Sequence, residues 1–132
     1  TIGDKTVVLD VAHNPAAVEA LINTLSENPM ETVAIFSALA DKNIVDMIEL
    51  ASGTIKHWFL VPISAERSID LESLKNKFDE PESTTICLNM NSAISQSLEL
   101  NEIKRIVIFG SFYTITDAFK IIKKFNVNSF WS

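Results

Sequence analysis

Three polar residues follow the first apolar run of the sequence and stand immediately before a helical pattern. Asp10 ends the run 6–10, and His13 and Asn14 precede Pro15, where the helical pattern begins. The Asp10 carboxylate can cap this helix or accept hydrogen bonds from two hydroxyl groups, such as those of a ribose. His13 can form hydrogen bonds that serve either the local fold or a site. Asn14 and Pro15 are a typical pair at a helix start, because Asn accepts a backbone N–H and Pro has none to lose.

Two further groups of residues with chemical potential follow later apolar runs. Lys42 comes after the run 32–36, and it is either a solvated surface residue or a cation that binds a carboxylate or phosphate group. Gly110 and Ser111 follow the run 105–109. Glycine permits a close approach of the backbone, and serine supplies a hydroxyl and a backbone N–H. The alternative for this pair is packing in a tight turn.

Five short apolar runs alternate with helical patterns along the chain. The runs are continuously apolar, which is typical of parallel strands that are buried on both faces. The predicted strands are 6–10, 32–36, 57–61, 84–88 and 105–109, and the predicted helices are 15–25, 41–51, 71–78, 92–100 and 114–125. A capping box at Thr114 to Asp117 is predicted to open the last helix. The sequence therefore predicts one α/β domain over residues 1–132, with a Rossmann-like, mostly parallel sheet of five to six strands and helices on both faces.

The carboxyl ends of parallel strands lie along one edge of a sheet, and ligands of open α/β sheets bind there. We therefore expect the polar residues that follow the strands to converge on this edge. They are Asp10, His13, Asn14, Ser37, Asp41, Lys42, Ser64, Glu66, Arg67, Gly110, Ser111, Tyr113 and Thr114.

The composition limits the classes of function that this edge can serve. The chain has 132 residues, with 11 Lys and Arg against 17 Asp and Glu, and its net charge of −6 gives no electrostatic basis for binding nucleic acid or an anionic membrane. One cysteine excludes an internal disulfide, and with two histidines a closed Cys/His zinc site is not expected. No apolar run approaches the ~20 residues of a membrane span. We expect a cytoplasmic protein with no metal site in this chain.

Two absences concern nucleotide binding and the extent of the protein. The three glycines, Gly3, Gly53 and Gly110, form neither a G-x-G-x-x-G nor a G-x-x-x-x-G-K-[ST] loop. If the protein handles ATP, another domain must therefore supply the phosphate-binding loop. The chain begins with Thr1 and its first methionine is Met30, so we expect it to be part of a longer protein.

Three segments, taken in order, resemble a known family. They are V-L-D-V-A-H-N-P at 8–15, A-L-A-D-K-N at 38–43 and F-G-S-F-Y-T at 109–114. They resemble the C-terminal domain of bacterial folylpolyglutamate synthase/dihydrofolate synthase, a member of the Mur ligase superfamily. The D-x-A-H-N-P stretch is shared across many Mur-type ligases, whereas the D-K pair and the G-S-F-[HY]-T stretch point to the folate branch. The resemblance covers essentially the whole chain, and the usual histidine of the last motif is Tyr113 here.

The resemblance implies an ATP-dependent ligase. In the family's reaction a substrate carboxylate is phosphorylated to an acyl phosphate, the amino group of glutamate attacks it, and phosphate is expelled. The P-loop, the Mg²⁺ ligands and most of the folate site would lie in a central domain. The C-terminal domain would contact ATP and hold L-glutamate, and alone it would be inactive. The implied partners are ATP, L-glutamate, dihydropteroate or folate, and the P-loop domain of the same protein, with a monomer as the expected state.

The resemblance also implies roles for residues of this sequence. Asp10 would bind the ribose hydroxyls of ATP, and His13 and Asn14 would lie near its transferring phosphoryl group, with His13 as the catalytic residue. Four residues would hold the glutamate: Asn14, Lys42, Ser111 and Tyr113. A cation and hydroxyl or N–H donors suit an anionic amino acid, and a carboxylate suits a diol. No metal ligand is assigned to this chain.

Three alternatives have a similar fold. A phosphoacceptor receiver domain would need an acidic pair after the first strand and an Asp after the third, whereas this sequence has the single Asp10 and V-P-I-S at 61–64. A non-catalytic ligand-binding or interaction module could be built on the same sheet. The third alternative is the C-terminal domain of another Mur-type amino-acid ligase.

Overall fold

The computed structural model describes residues 2–40, 43–63 and 69–131, with side chains as far as residue 124. The strands are β1 (Thr6–Leu9), β2 (Thr32–Phe36), β3 (Ile55–Leu60), β4 (Thr84–Ile86) and β5 (Arg105–Phe109). The helices are α1 (Pro15–Ser26), α2 (Ile44–Ser52), α3 (Leu71–Lys75), α4 (Met90–Leu98) and α5 (Phe112–Trp131), and a 3₁₀ turn, Pro81–Ser83, precedes β4. In the described part of the chain, no helix is long and apolar enough to cross a membrane.

The five strands form one sheet in the order β1-β5-β2-β3-β4, and every neighbouring pair is parallel. The interior strands β2 (T-V-A-I-F) and β5 (R-I-V-I-F) are buried at every residue. Continuous apolar strands of this kind need helices on both faces to exclude water. The observed parallel sheet with helices on both faces confirms the predicted α/β fold.

The helices divide between the two faces of the sheet. Val18 of α1, Met47 of α2 and Leu74 of α3 pack on one face, whereas Ile94 of α4 and Ala118 of α5 pack on the other. Strand β5 lies between β1 and β2, which lead into α1 and α2, while β5 itself leads into α5. The chain therefore leaves neighbouring strands toward opposite faces. Open α/β sheets bind their ligands at such a divergence.

Two buried cations fix the amino-terminal edge of the sheet, opposite this divergence. The Arg105 guanidinium donates to Thr32 Oγ1 at 3.0 Å and to the Asn28 carbonyl at 2.8 Å. The Lys5 ammonium donates to the Ile103 carbonyl at 2.6 Å. Hydroxyl and carbonyl oxygens thus pair with both cations, as buried charges require. These bonds stabilise the scaffold that carries the loops of the carboxyl edge.

Element bounds differ from the predicted ones where a side-chain cap or a turn decides them. The predicted capping box at Thr114 is wrong, because Ser111 Oγ accepts the N–H of Thr114 at 3.1 Å and starts α5 earlier. Helix α4 also starts earlier than predicted, since Asn89 Oδ1 accepts the N–H of Ser92 at 2.8 Å. Helix α3 ends at Lys75, before its predicted end. The β2 and β5 bounds agree with the prediction.

Candidate functional site at the carboxyl edge

The Asp10 carboxylate orders the loop after β1. Its Oδ1 accepts the N–H of Ala12 at 2.8 Å, and the Asp10 backbone N–H donates to the Ile108 carbonyl of β5 at 3.1 Å. A helix-capping role for Asp10 is therefore wrong, because another side chain caps α1. No donor among the described residues pairs with the second oxygen, Oδ2. With respect to the described residues, this oxygen is available to a ligand at a half-buried position.

Asn14 is the cap of α1, as predicted. Its Oδ1 accepts the N–H of Ala17 at 2.8 Å, and Pro15 occupies the first turn. Because Oδ1 is used at the helix start, the amide Nδ2 is the end of the side chain that can donate to a ligand. Asn14 is exposed, so a ligand can reach this donor.

The His13 ring has a defined orientation beside this cap. Its Nδ1 lies 2.9 Å from the Val11 carbonyl. A carbonyl oxygen only accepts, so Nδ1 carries the proton in this bond and Nε2 is left for other partners. The ring is exposed. His13 can therefore present Nε2 to a ligand while its other nitrogen holds the ring in place.

The loops after β1, β5 and β2 pack against one another at Gly110. The Gly110 N–H donates to the Ala12 carbonyl at 3.0 Å. Its φ is +123°, and a Cβ at this position would lie 1.8 Å from the Ser37 carbonyl oxygen. Only glycine fits both the backbone conformation and the space. The structure supports the packing alternative for Gly110, because the backbone that approaches it is that of Ser37, and an approach to a ligand stays a prediction.

Ser111 and Tyr113 occupy the start of α5 in different ways. Ser111 is buried, and its Oγ pairs with Thr114 Oγ1 at 2.8 Å besides capping the helix. Tyr113 is 47% exposed in the first turn. The Ser111 hydroxyl thus already serves the fold, and a contact from it to a ligand stays a prediction. Tyr113 is open to solvent and to any ligand at this edge.

The structure brings the predicted residues after β1 and β5 together on adjacent strands. Asp10 bonds directly to β5, and Gly110 bonds directly to the loop after β1. Other predicted residues lie outside the described part of the chain, so their position stays a prediction: Asp41, Lys42, Ser64, Glu66 and Arg67.

Four large side chains are exposed along the same edge, and we call them the apolar rim. They follow β1, β4 and β5: Val11 is 50% exposed, Leu88 84%, Phe112 70% and Tyr113 47%. The sequence analysis did not predict Val11, Leu88 and Phe112 as part of the site. Their position just after the strand ends could have indicated it. Strands β2 and β3 lie between Leu88 and the other three. Exposed apolar groups at a ligand-binding edge are typical of a surface that another part of a protein covers.

Burial shifts the pKa of three groups among the described residues: His57 of β3, Cys87 just after β4, and Arg105 of β5, whose pKa is lowered. Burial lowers the pKa of His57 below its ordinary 6.5, and the charge of Lys75 lowers it further. Burial raises the pKa of the Cys87 thiol, against a smaller lowering by its bond from Gln96. Across residues 2–40, 43–63 and 69–124, no group of three or more His, Cys, Asp or Glu side chains is placed to hold a metal ion.

The fold and its edge define a doubly wound α/β domain of the kind that binds ligands at the carboxyl ends of its strands. The family described as "Mur ligase, glutamate ligase domain" matches residues 1–112. The chain belongs to this family, which confirms the resemblance seen in its motifs.

The relatives of this chain are folate enzymes. The dihydrofolate synthase/folylpolyglutamate synthase of Buchnera aphidicola subsp. Acyrthosiphon pisum is 32% identical over 114 residues, which are 84% of this chain and 28% of that protein. The ligand-free bifunctional folylpolyglutamate synthase/dihydrofolate synthase of Yersinia pestis has a TM-score of 0.81 at 22% identity, over 93% of this chain and 31% of that one. A bifunctional enzyme solved with Mn, AMPPNP and L-glutamate bound has a TM-score of 0.78 at 24% identity, over 93% and 30%. The chain spans less than a third of the length of these proteins.

Proposed function

We propose that residues 1–132 are the C-terminal domain of an ATP-dependent ligase that adds L-glutamate to dihydropteroate or folates. The observation that carries the proposal is the bond between the Gly110 N–H and the Ala12 carbonyl. It joins the loop of the D-x-A-H-N-P segment to the start of α5, so that two of the three segments that resemble the folate ligases meet at one edge. The bound Mn, AMPPNP and L-glutamate of a structural relative support the choice of ligands.

Asp10 is proposed to bind the ribose of ATP. One carboxylate oxygen holds the loop through Ala12, and Oδ2 can accept a hydrogen bond from a ribose hydroxyl. An anion that already accepts a backbone N–H is well placed to bind a diol, because its orientation is fixed before the ligand arrives.

Asn14, Lys42, Ser111 and Tyr113 are proposed to hold L-glutamate, with Asn14 also near the nucleotide. The first turn of α5 offers backbone N–H groups and the positive end of a 20-residue helix to a carboxylate. The exposed Nδ2 of Asn14 adds a donor. The charge of Lys42 would pair with the second carboxylate of the amino acid.

The reaction proceeds by an acyl phosphate in this proposal. A carboxylate oxygen of the acceptor attacks the γ-phosphorus of ATP, and ADP leaves. The glutamate ammonium group first loses a proton to solvent, and its amine then attacks the acyl carbon. The tetrahedral intermediate expels inorganic phosphate, which takes up the second proton from nitrogen to leave an amide. Nε2 of His13 would face the transferring phosphoryl group, with the ring held by its bond to Val11.

The remaining parts of the site are proposed to lie elsewhere in a longer, monomeric protein. We propose that Mg²⁺ is bound by the P-loop domain. The apolar rim gives that domain a surface to contact when the two parts close on ATP and glutamate. ATP-dependent chemistry of this kind fits the cytoplasm, and the isolated chain would be inactive.

An assay of the longer protein tests the proposal. Purified protein would be incubated with ATP, Mg²⁺, L-glutamate and either dihydropteroate or tetrahydrofolate, and the products measured by mass spectrometry. We expect one added glutamyl unit and one ADP per product. Addition of a different amino acid would favour another Mur-type ligase, and binding without turnover would favour a non-catalytic module or a receiver.

Lys42 gives a sharper prediction about the amino acid. The substitution Lys42→Ala should raise the KM for L-glutamate about tenfold and change the KM for ATP less than twofold, because it removes a charge partner of the carboxylate. Lys56→Ala is the matched control, since Lys56 is an exposed lysine that pairs with Glu31 at 3.5 Å. An effect of Lys42→Ala confined to ATP would contradict the assigned role.

A further inference from the structure

Ser37 carries a buried hydroxyl without a partner. Its side chain is fully buried, and across the described residues its Oγ is the buried side-chain oxygen or nitrogen that lacks any hydrogen bond. Buried hydroxyl groups are normally paired, because an unpaired one destabilises the folded state. Ser97 shows the ordinary arrangement: it is equally buried, and its Oγ donates to the Ala93 carbonyl at 2.8 Å. The unpaired state of Ser37 therefore needs a reason.

The position of Ser37 suggests that reason. It follows β2 directly, at the carboxyl edge, and alternation along the strand puts its side chain on the face of Val33 and Ile35. Helix α5 covers the same face through Ala118. The Ser37 carbonyl also lies where a side chain on Gly110 would be. Ser37 thus packs against the segment that leads into α5.

We propose that Ser37 is a positioning residue for the amino acid of the proposed reaction, acting through the segment Gly110–Ser111. Its hydroxyl has no hydrogen-bond partner among the described residues, and in the proposed ligand-bound arrangement it bonds to this segment. The inference rests on the proposed function. It assigns to Ser37 the role of holding the L-glutamate subsite in its ligand-bound arrangement.

The energetics of this arrangement favour the bound state. The free domain carries the penalty of an unpaired buried hydroxyl, and the bound domain does not. A difference of this kind between two states shifts the equilibrium toward the one in which the group is paired. Ser37 would thus lower the stability of the free domain and raise the affinity for the ligand.

The experiment compares Ser37→Ala with Ser97→Ala, two changes at equally buried serines. In this chain, thermal unfolding should show a melting temperature for Ser37→Ala that is unchanged or raised by about 3 °C. Ser97→Ala should lower it by about 3 °C, because it removes a bond that is already formed in the free domain.

In the longer protein, Ser37→Ala should raise the KM for L-glutamate about tenfold with less than a twofold change in the KM for ATP, and Ser97→Ala should change neither. A melting temperature that falls with Ser37→Ala would show that the hydroxyl is paired without ligand and would overturn the inference. An unchanged glutamate KM would overturn it as well. Absence of glutamate addition by the wild-type protein is a different result, since it removes the proposed function and the inference together.

Discussion

Gly110, which follows β5, lies against the backbone of Ser37, which follows β2. This contact leaves no room for a side chain at position 110. A Cβ on Gly110 would collide with a backbone oxygen, which cannot move as a flexible side chain could. The left-handed φ of +123° adds strain for any other residue. A glycine at position 110 is therefore required for the loops after β5 and β2 to pack against each other.

The substitution Gly110→Ala should lower the free energy of unfolding by about 2–4 kcal/mol, measured by urea denaturation. Gly53→Ala is the matched control, because its Cβ would have no atom within 4 Å and its φ of −69° suits alanine. We expect the control to be neutral or slightly stabilised. Equal stability of the two variants would contradict the packing described for Gly110.

His57 gives a pH-dependent prediction. Its pKa is lowered in the folded state, so the unfolded chain binds the proton more tightly, and stability is lost as pH falls through and below 6.5. His57→Gln removes this titration and can keep a bond to Thr85, which now lies 2.7 Å from Nε2. The loss of unfolding free energy between pH 7.5 and 5.5 should be smaller in the variant. An equal loss of unfolding free energy in the wild type and the variant would show that folding does not lower the pKa of His57.

At the scale of elements, the starts of α1 and α3 were predicted correctly, whereas those of α2, α4 and α5 were shifted by two or three residues. Asn14 and Pro15 fixed the start of α1 correctly. At α5 the sequence offered two hydroxyl residues, Ser111 and Thr114, that can each cap a helix. The structure uses Ser111, because Gly110 turns the chain directly out of β5 and the helix begins at once. Competition between similar caps is settled by tertiary packing, which a local pattern does not contain.

Two matched caps separate stability from function. Asn14 and Asn89 each accept a backbone N–H at 2.8 Å at the start of α1 and α4. Replacing either by Ala should lower the free energy of unfolding by about 1 kcal/mol in chemical denaturation. In the longer protein, only Asn14→Ala should also reduce glutamate addition, beyond what the stability loss explains. Equal effects of the two variants on turnover would make Asn14 a purely structural cap.

At the scale of the whole molecule, the sequence predicted the parallel sheet but not the order of its strands. Continuous apolar runs require cover on both faces, and that requirement alone leads to an α/β sheet. The order β1-β5-β2-β3-β4 depends on long-range pairing, such as the register of Val8 with Val107. That order brings the segments after β1 and β5 together. The candidate site was therefore predictable as a set of residues at one edge, and its internal bonds were not.

In the proposed function this domain forms one side of a cleft, and the apolar rim is the surface that the P-loop domain would contact. The strongest evidence for this proposal would come from variants that leave this domain folded and alter only the side chains at its carboxyl edge.

The most direct measurement is the kcat/KM for glutamate addition in the longer protein carrying Asp10→Asn or His13→Ala. Asp10→Asn keeps an oxygen for the Ala12 N–H, so the fold should be retained while the charge at Oδ2 is lost. We predict at least a tenfold lower kcat/KM for ATP with Asp10→Asn, about a hundredfold lower kcat with His13→Ala, and wild-type values with the control His57→Gln. Wild-type turnover by both folded variants would contradict the assignment of the carboxyl edge as the ligase site.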